Sequence, residues 1–447
     1  MFDTLLPAAP TTSLSAGGAS VVALERFGDT DSAARAALRR TDTLRDQRPG
    51  ADPDIDPDID LSVTSDLASL EAEWRAFAPA AAATAFQAFD WLDKWQRHVG
   101  SAKGTVPAIV VGRDRDGALT MILPLAIERT GPIRRLTWLG SELCDYNAPL
   151  LAPAFARDLS GERFKALWRA VTALLCAEPR YRFDTIDLQK MPETLRGAAN
   201  PFLSLAVSIH PSGAYVATLG PDWDAFYASK RSSATRKRER RQLNQLTEHG
   251  GEVQLLTADE PVSAAATIEA LFEQKSSWLA HRGAEDMFGR RGYRAFYRDV
   301  ATDPRLGDLV HVSRLDVGGT IAAANIGLTF DGSYYLISSS YLAGDLSRYG
   351  TGRFHLQLLL RRAIEKGFAR FDFTVGDEAY KHDWADIEVK LYDFVGAVGP
   401  RGMAFAAGVA GYRRLKRTIK QNPTLWRLFS RARAAIGKLS LRQPGRA

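Results

Sequence analysis

Arg348-Tyr349-Gly350-Thr351-Gly352-Arg353 is the stretch on which the reading of this chain turns. Two glycines stand where a strand gives way to an apolar-striped segment, and the spacing predicts a helix over 352–367. Glycine admits positive φ, so such a turn can face backbone N–H groups outward, and a helix start adds partial positive charge. Together they can hold a diphosphate. Arg348 and Arg353 place full charges beside it. An ordinary tight loop is the plainer reading, and what weighs against it is the context. Three predicted strands, 309–314, 321–330 and 333–340, precede the turn, joined at Gly318-Gly319 and Asp331-Gly332. A strand at 371–373 follows the helix.

Working outward, the same order occurs twice. From Tyr215 a strand leads to a helix over 223–229 and a basic helix over 233–249. A strand at 253–256 and helices over 262–282 and 292–301 bring the chain to the meander. A last strand is predicted at 389–395. Earlier, a strand near 59–63 precedes helices over 67–77 and 89–99. Strands at 106–111, 118–127 and 133–139, a helix over 162–177 and a strand at 183–188 then follow. The fold class is therefore α/β (α+β): two tandem units, each a mixed, mostly antiparallel sheet flanked by helices. Four segments are expected. Residues 1–57 read as disordered, with a short helix at 31–40. Residues 58–212 and 213–399 are the two units, and 400–447 are a basic helical tail.

The densest polar chemistry follows strand 371–373. Phe371 and Phe373 share one face and Asp372 points the other way. Past Gly376 come Asp377, Glu378, Tyr380, Lys381 and His382. Acyl transfer to an amine needs a base for the ammonium proton and donors for a tetrahedral oxyanion. Asp377 or Glu378 can be the base, and Tyr380 or Lys381 a donor or general acid. A solvated turn or local ion pair is the competing reading for each. Asp145-Tyr146-Asn147 in the first unit are candidates for lining a cleft between the units. Trp91 and Trp95 at i, i+4 read as core.

Composition narrows the classes. Of 447 residues 45% are hydrophobic and 25% charged, which excludes wholesale disorder and fibrous repeats. No apolar run of about 18 residues offers a membrane span, and the N-terminus has no secretory-signal pattern. Two cysteines, Cys144 and Cys176, exclude a disulfide scaffold and fit a reducing cytosol. Seven histidines without metal-ligand spacing argue for no metal. Neither G-x-S-x-G nor a P-loop is present. Lys and Arg number 58 against 52 Asp and Glu, but all charged residues after Pro400 are basic, so the body is mildly acidic. Such a tail, with Leu425, Trp426, Leu428 and Phe429 set among arginines over 423–436, points to an anionic partner or to packing on the body. The run 230–241 holds seven cations and one Glu239 without interleaved aromatics, so nucleic acid is not the expected partner.

These motifs resemble a family. The Tyr-Gly-Thr-Gly turn at 349–352, the basic helix with Arg231, Arg236 and Arg240, and Phe371-Asp372-Phe373…Gly376-Asp377-Glu378…Tyr380-Lys381…Trp384 resemble GNAT-type acetyltransferases of the cellulose or extracellular-polysaccharide biosynthesis kind. Those are relatives of the Fem-type peptidyltransferases. Phe86-Gln87…Trp91…Trp95, Leu123-Pro124-Leu125, Trp138-Leu139-Gly140 and Asp145-Tyr146-Asn147 extend the resemblance over about residues 60–398. It implies two GNAT-like halves, with acetyl-CoA as co-substrate on the second. The implied cofactor contacts are Ser338, Ser340, Arg348, Gly350, Thr351, Gly352 and Arg353. Trp384 joins Asp145, Tyr146 and Asn147 toward the acceptor. The implied function is acyl transfer to an amine or hydroxyl of a saccharide or cell-envelope acceptor. A Fem-like enzyme using aminoacyl-tRNA and a non-catalytic scaffold of a polysaccharide synthase are the alternatives. The expected location is cytoplasmic, with residues 401–447 on the inner membrane face.

Overall fold

A computed structural model describes residues 22–23, 59–140 and 142–421. The readings at 31–40 and 423–436 lie outside them. Two sheets form the frame. The first takes β1 (Asp60–Thr64), β2 (Val106–Arg113), β3 (Leu119–Thr130), β4 (Ile133–Trp138) and β5 (Thr185–Pro192). The second takes β6 (Ala214–Thr218), β7 (Val253–Thr257), β8 (Val310–Val317), β9 (Thr320–Phe330), β10 (Ser333–Tyr341), β11 (Arg370–Val375) and β12 (Ile387–Val389). A final strand, β13 (Leu391–Ala397), leaves the second unit and pairs antiparallel with β5 in the first sheet.

The orders are β13-β5-β4-β3-β2-β1 and β12-β6-β11-β10-β9-β8-β7. In both, a three-strand antiparallel meander is followed by one parallel neighbour: β4 beside β5, and β10 beside β11. The strand that flanks that neighbour is the opening strand of the second unit in the second sheet and a strand crossing over from the second unit in the first. β6, which follows the first unit, pairs with β11, and β13 returns to β5. The boundary predicted at 399 is thus corrected: residues 391–397 belong by hydrogen bonding to the first sheet. A pattern of alternating apolar residues specifies that a strand forms and which face it buries. It does not specify which of two similar edges accepts it. Val22–Ala23 pair with β13 at Gly396–Ala397.

The helices follow the sequence reading closely. Besides others such as Glu71–Phe77, they include α1 (Phe89–Trp95), α2 (Gly161–Ala177), α3 (Trp223–Lys230), α4 (Ser233–Gly250), α5 (Pro261–His281), α6 (Tyr293–Thr302), α7 (Thr351–Glu365) and α8 (Gly399–Gln421). Ser160, Asp222 and Ser232 cap α2, α3 and α4, each side chain accepting from a first-turn N–H. After α1 the chain continues as a π turn, Gln96–Gly100. The halves meet through one apolar layer. Trp91 lies edge-on to Phe296 at 4.9 Å, and Phe86 contacts both Tyr146 and Tyr335. All five side chains except Tyr335 are buried. At about 1.5–3 kcal/mol per large apolar side chain removed from water, this layer favours association of the two halves. Buried Lys94 adds ion pairs to Asp299 at 2.7 Å and Asp303 at 2.9 Å across the same boundary.

Candidate functional site

The site is set by where parallel strands part. β10 and β11 pair only at Ser333–Tyr335 with Arg370–Asp372 and then diverge. Beyond that point β10 is bonded on one side alone, to β9. Ile337 is a bulge: Leu336 faces Gly327 and Ser338 faces Ile326, leaving Ile337 without an opposite residue. The bulge resets the alternation. Leu336 packs into the core under α7, whereas Ser340 Oγ reaches Gln274 Oε1 on α5 at 2.8 Å. Ser338 is buried and its Oγ has no partner. The opened edge therefore presents backbone donors and two small hydroxyls.

The same parting occurs in the first half, where β4 and β5 pair only at Arg135–Leu136 with Thr185–Ile186. There it is plugged. Asn147 N–H donates to Lys190 O, and its Nδ2 to Gln189 O, both at 3.0 Å. Lys190 Nζ donates to Cys144 O. Both parting strands carry apolar-Asp-apolar, Ile186-Asp187-Leu188 and Phe371-Asp372-Phe373. In the second half Lys275, Thr374 and Lys381 bond to the diverging strands instead.

Beside the end of β10 stands the glycine turn. Gly350 has φ +87°, and α7 begins at Thr351. The N–H groups of Arg353 and Phe354 turn back to Gly350 O, so those of Thr351 and Gly352 remain as the forward-facing donors. A Cβ on Gly352 would stand 3.0 Å from the Tyr341 ring, and one on Gly350 2.4 Å from the Arg353 guanidinium. The turn is thus a backbone cradle, with the exposed Arg348 beside it. Arg353 is half-committed. Its guanidinium donates to Gln242 Oε1 at 2.7 Å and lies 3.5 Å from Glu239. Glu239, the single acid of the basic run, is buried and also accepts from Tyr227 and from Gln357 Nε2 at 2.9 Å. It ties α3, α4 and α7 together, while Lys237, Arg238, Arg240 and Arg241 stay exposed. Thr351 is buried. These residues fit a diphosphate: free helix-start donors, two arginines and a surface no Cβ occupies.

The deep wall is a carboxylate cluster that joins the halves. Tyr146 Oη donates to the Asp372 carboxyl, at 2.9 Å and 2.8 Å from its two oxygens, and Thr374 N–H donates to Asp372 Oδ1 at 2.7 Å. Asp372 is buried. Burial pushes its carboxyl from the ordinary 3.8 up to about 7, against the opposing pull of Tyr146, Thr374 N–H and Lys381. Thr374 has φ +58°, which a β-branched residue rarely adopts. Strain of that kind, on the order of 1–3 kcal/mol, concentrates at functional sites. Lys275 on α5 donates to Ser339 O at 3.0 Å, and desolvation lowers its ammonium to about 8.

Of the predicted acid–base cluster, Lys381 is buried. It donates to Thr374 O at 3.2 Å and Val375 O at 3.0 Å and pairs with Glu378 at 3.1 Å. Burial alone would raise the Glu378 carboxyl, but Lys381 outweighs it and the group stays below its usual range. Gly376, at φ +141°, passes so close to both that a Cβ would stand 2.3 Å from Glu378 Oε2. Asp377 follows directly, and Tyr380 is exposed at the rim. Tyr146 reaches across to Asp372 of the second half, and Asp145 beside it is half-buried. Asn147 is spent on the plug of the first half. Trp384 is 1% exposed, stacked on Phe226 and covered by Arg231 at 4.0 Å, and belongs to the core rather than to a cleft. Asp372, Thr374, Gln274 and Lys275 are the additions. The outward-facing Asp in an otherwise apolar strand was the signal for the first; nothing in sequence singles out Gln274 and Lys275 among the helical residues of α5. Burial pushes the Cys144 thiol up to about 12, which leaves it no thiolate for nucleophilic attack.

The second half thus sets a bulged strand, parting from a parallel neighbour, beside a glycine-started helix. Residues 233–382, within the second half, match the model of the acetyltransferase (GNAT) domain. No curated protein matches the chain. Among solved structures, FemX is 10% identical over 76% of this chain and 98% of its own, with a TM-score of 0.53. The C-terminal domain of a putative lysylphosphatidylglycerol synthetase from Agrobacterium fabrum is 12% identical over 76% of this chain and 96% of its own, at 0.47. A tandem GNAT protein from the clavulanic acid pathway is 13% identical over 76% and 99%, at 0.41. The FemX likeness concerns the two-half fold.

Proposed function

We propose that this chain is an acyl-CoA-dependent acyltransferase that moves an acyl group, acetyl in the first instance, to an amine or hydroxyl of a saccharide or cell-envelope acceptor. The observation that carries the reading is the conjunction, in the second half, of a bulged strand leaving its parallel neighbour with a helix-start glycine turn whose Thr351 and Gly352 N–H groups face forward. Thr351 and Gly352 N–H, Arg348 and Arg353 would hold the CoA diphosphate. The thioester supplies the activated acyl group. Backbone donors of β10 beyond the bulge, near Ser338–Ser340, face the position where the carbonyl oxygen gains charge. The acceptor enters between the halves, along Asp145 and Tyr146. A base near neutrality suits proton removal best, and Asp372, reached through the Tyr146 hydroxyl, has that property; Asp377 is the second candidate and the ionised Glu378 a weaker one. Lys381 holds the chain at Gly376 and keeps Glu378 in place.

A Fem-like reading, with aminoacyl-tRNA as donor, draws on one observation: the exposed cations of α4 flank the glycine turn. Thermal shift with acetyl-CoA, longer acyl-CoAs and uncharged tRNA separates the two. Stabilisation by an acyl-CoA, together with acyl transfer to an amino sugar or polysaccharide, is the expected result. Stabilisation by tRNA alone would replace the reading with the Fem-like one, and response to neither would leave a non-catalytic scaffold. None of the described helices is long and apolar enough to cross a membrane. Attachment to an anionic inner-membrane surface through residues 401–447 is part of the proposal and rests on the basic, aromatic sequence of that tail.

A further inference from the structure

At the opposite end of the second sheet lies a cavity of about 510 Å³ that the acyl-transfer reading does not use. It is bounded by the starts of α5 and β8, the end of α6 and the last turns of α7. Arg362 and Lys366 line one wall, His311 and Tyr334 the inner end, and Val300, Leu359 and Phe368 are among its apolar contacts. From Gly352 to Arg362 along α7 is about 15 Å at 1.5 Å per residue, so the cavity and the glycine turn occupy separate ends of one helix.

The inner end is a wired polar chain. Ser313 Oγ donates to Asn325 Oδ1 at 2.6 Å, and Asn325 Nδ2 donates to Tyr334 Oη at 2.7 Å. Tyr334 Oη lies 3.0 Å from His311 Nδ1. With its oxygen already accepting from Asn325, the tyrosine satisfies both groups by donating its proton to Nδ1. His311 is then the Nε2–H tautomer. That Nε2 is buried and has no partner. A buried donor left so is unfavourable unless something accepts from it. Gly327 makes room for the arrangement, since a Cβ there would stand 2.4 Å from Tyr334 Oη. Arg362 is half-buried, and neither it nor Lys366 has a carboxylate partner among the described residues. Of the nearby acids, Asp303 is taken by Lys94 and Arg305, while Asp259 and Asp308 are exposed at the rim. Two uncompensated cations and one orphaned N–H donor converge over an apolar floor.

We propose that this cavity is a second ligand site, for a small molecule with one anionic head, carboxylate or phosphate monoester, on a short apolar body. The head pairs with Arg362 and Lys366 and accepts from His311 Nε2–H; the body lies against Val300, Leu359 and Phe368. Its volume is that of an ordinary small-ligand pocket.

The test uses the full chain, with octanoate, octyl phosphate and octanol as probes in calorimetry and thermal shift. Either anion should bind at low-millimolar concentration or tighter, and octanol about tenfold more weakly or not at all. The difference between the two anions tells which head the site prefers. Arg362→Gln with Lys366→Gln, both changes at the cavity rim, should weaken the preferred anion at least about tenfold and leave any acetyl-CoA response intact. His311→Gln should weaken it with the cations in place, which nonspecific attraction to a basic surface would not show. Failure of both anions to bind, equal binding of octanol, or undiminished binding by the folded Arg362→Gln/Lys366→Gln protein would overturn the site.

Discussion

Asp372→Asn should make the protein more stable at alkaline pH while lowering its turnover. The folded carboxyl titrates near 7 and the unfolded one near 3.8. A carboxyl whose pKa is raised on folding favours the fold while protonated. That advantage is complete below the unfolded pKa and is lost as pH climbs from about 4 to 7. Three units at 1.36 kcal/mol each amount to about 4 kcal/mol of burden above pH 7, an upper figure because relaxation of the site reduces it. About 2–3 kcal/mol of it falls between pH 5 and pH 8. Asparagine carries no charge to bury. Its Oδ1 still accepts from Thr374 N–H, as Asp372 does at 2.7 Å, and its amide can donate to Tyr146 Oη in place of the present reversed bond. The stability difference between variant and parent, measured by urea unfolding at both pH values, should therefore grow in the variant's favour by that amount as pH rises. Acyl transfer at pH 8 should fall by one or more orders of magnitude. A variant whose stability difference from the parent is the same at pH 5 and pH 8 would refute the argument that a buried, high-pKa carboxyl stands at this position.

Gly350→Val with Gly352→Val should abolish stabilisation by CoA in a protein that remains folded, because a side chain at 352 meets the Tyr341 ring and one at 350 must adopt φ near +87°; unchanged CoA affinity in the folded variant would remove the cradle assignment. Lys381→Met should destabilise by about 3 kcal/mol, since it leaves Glu378 and two strand-end carbonyls without their buried donor, and should lower turnover with it, whereas Asp377→Asn should lower turnover without comparable loss in a denaturation curve. Full activity in both variants would make the 377–381 cluster structural. Deleting residues 422–447 should release the protein from anionic liposomes and spare CoA binding. Salt should weaken attachment of the intact chain, because surface charge is screened beyond about 8 Å at physiological ionic strength; indifference of the full-length protein to such liposomes at low salt would refute membrane attachment.

Most of the fold was legible in the chain because its elements are long, strongly periodic and punctuated by glycine. The meander at 310–341, the helix after Gly350 and the twofold recurrence of one order follow from local pattern, and so does the outward aspartate between Phe371 and Phe373. What tertiary structure alone decided is where those elements meet. β13 repeats the alternation of any edge strand, and only the sheet that receives it shows that the second unit's last strand crosses to the first. Tyr146 and Asp372 lie 226 residues apart, so neither their hydrogen bond nor the burial that lifts the carboxyl could be read from neighbours in sequence. Trp384 sits inside a polar motif and is nonetheless buried under Arg231, because a motif fixes composition and not accessibility. The two strand partings look alike as sequence. Long-range hydrogen bonds from residues 144–147 fill one of them, whereas Lys275, Thr374 and Lys381 bond to the diverging strands of the other.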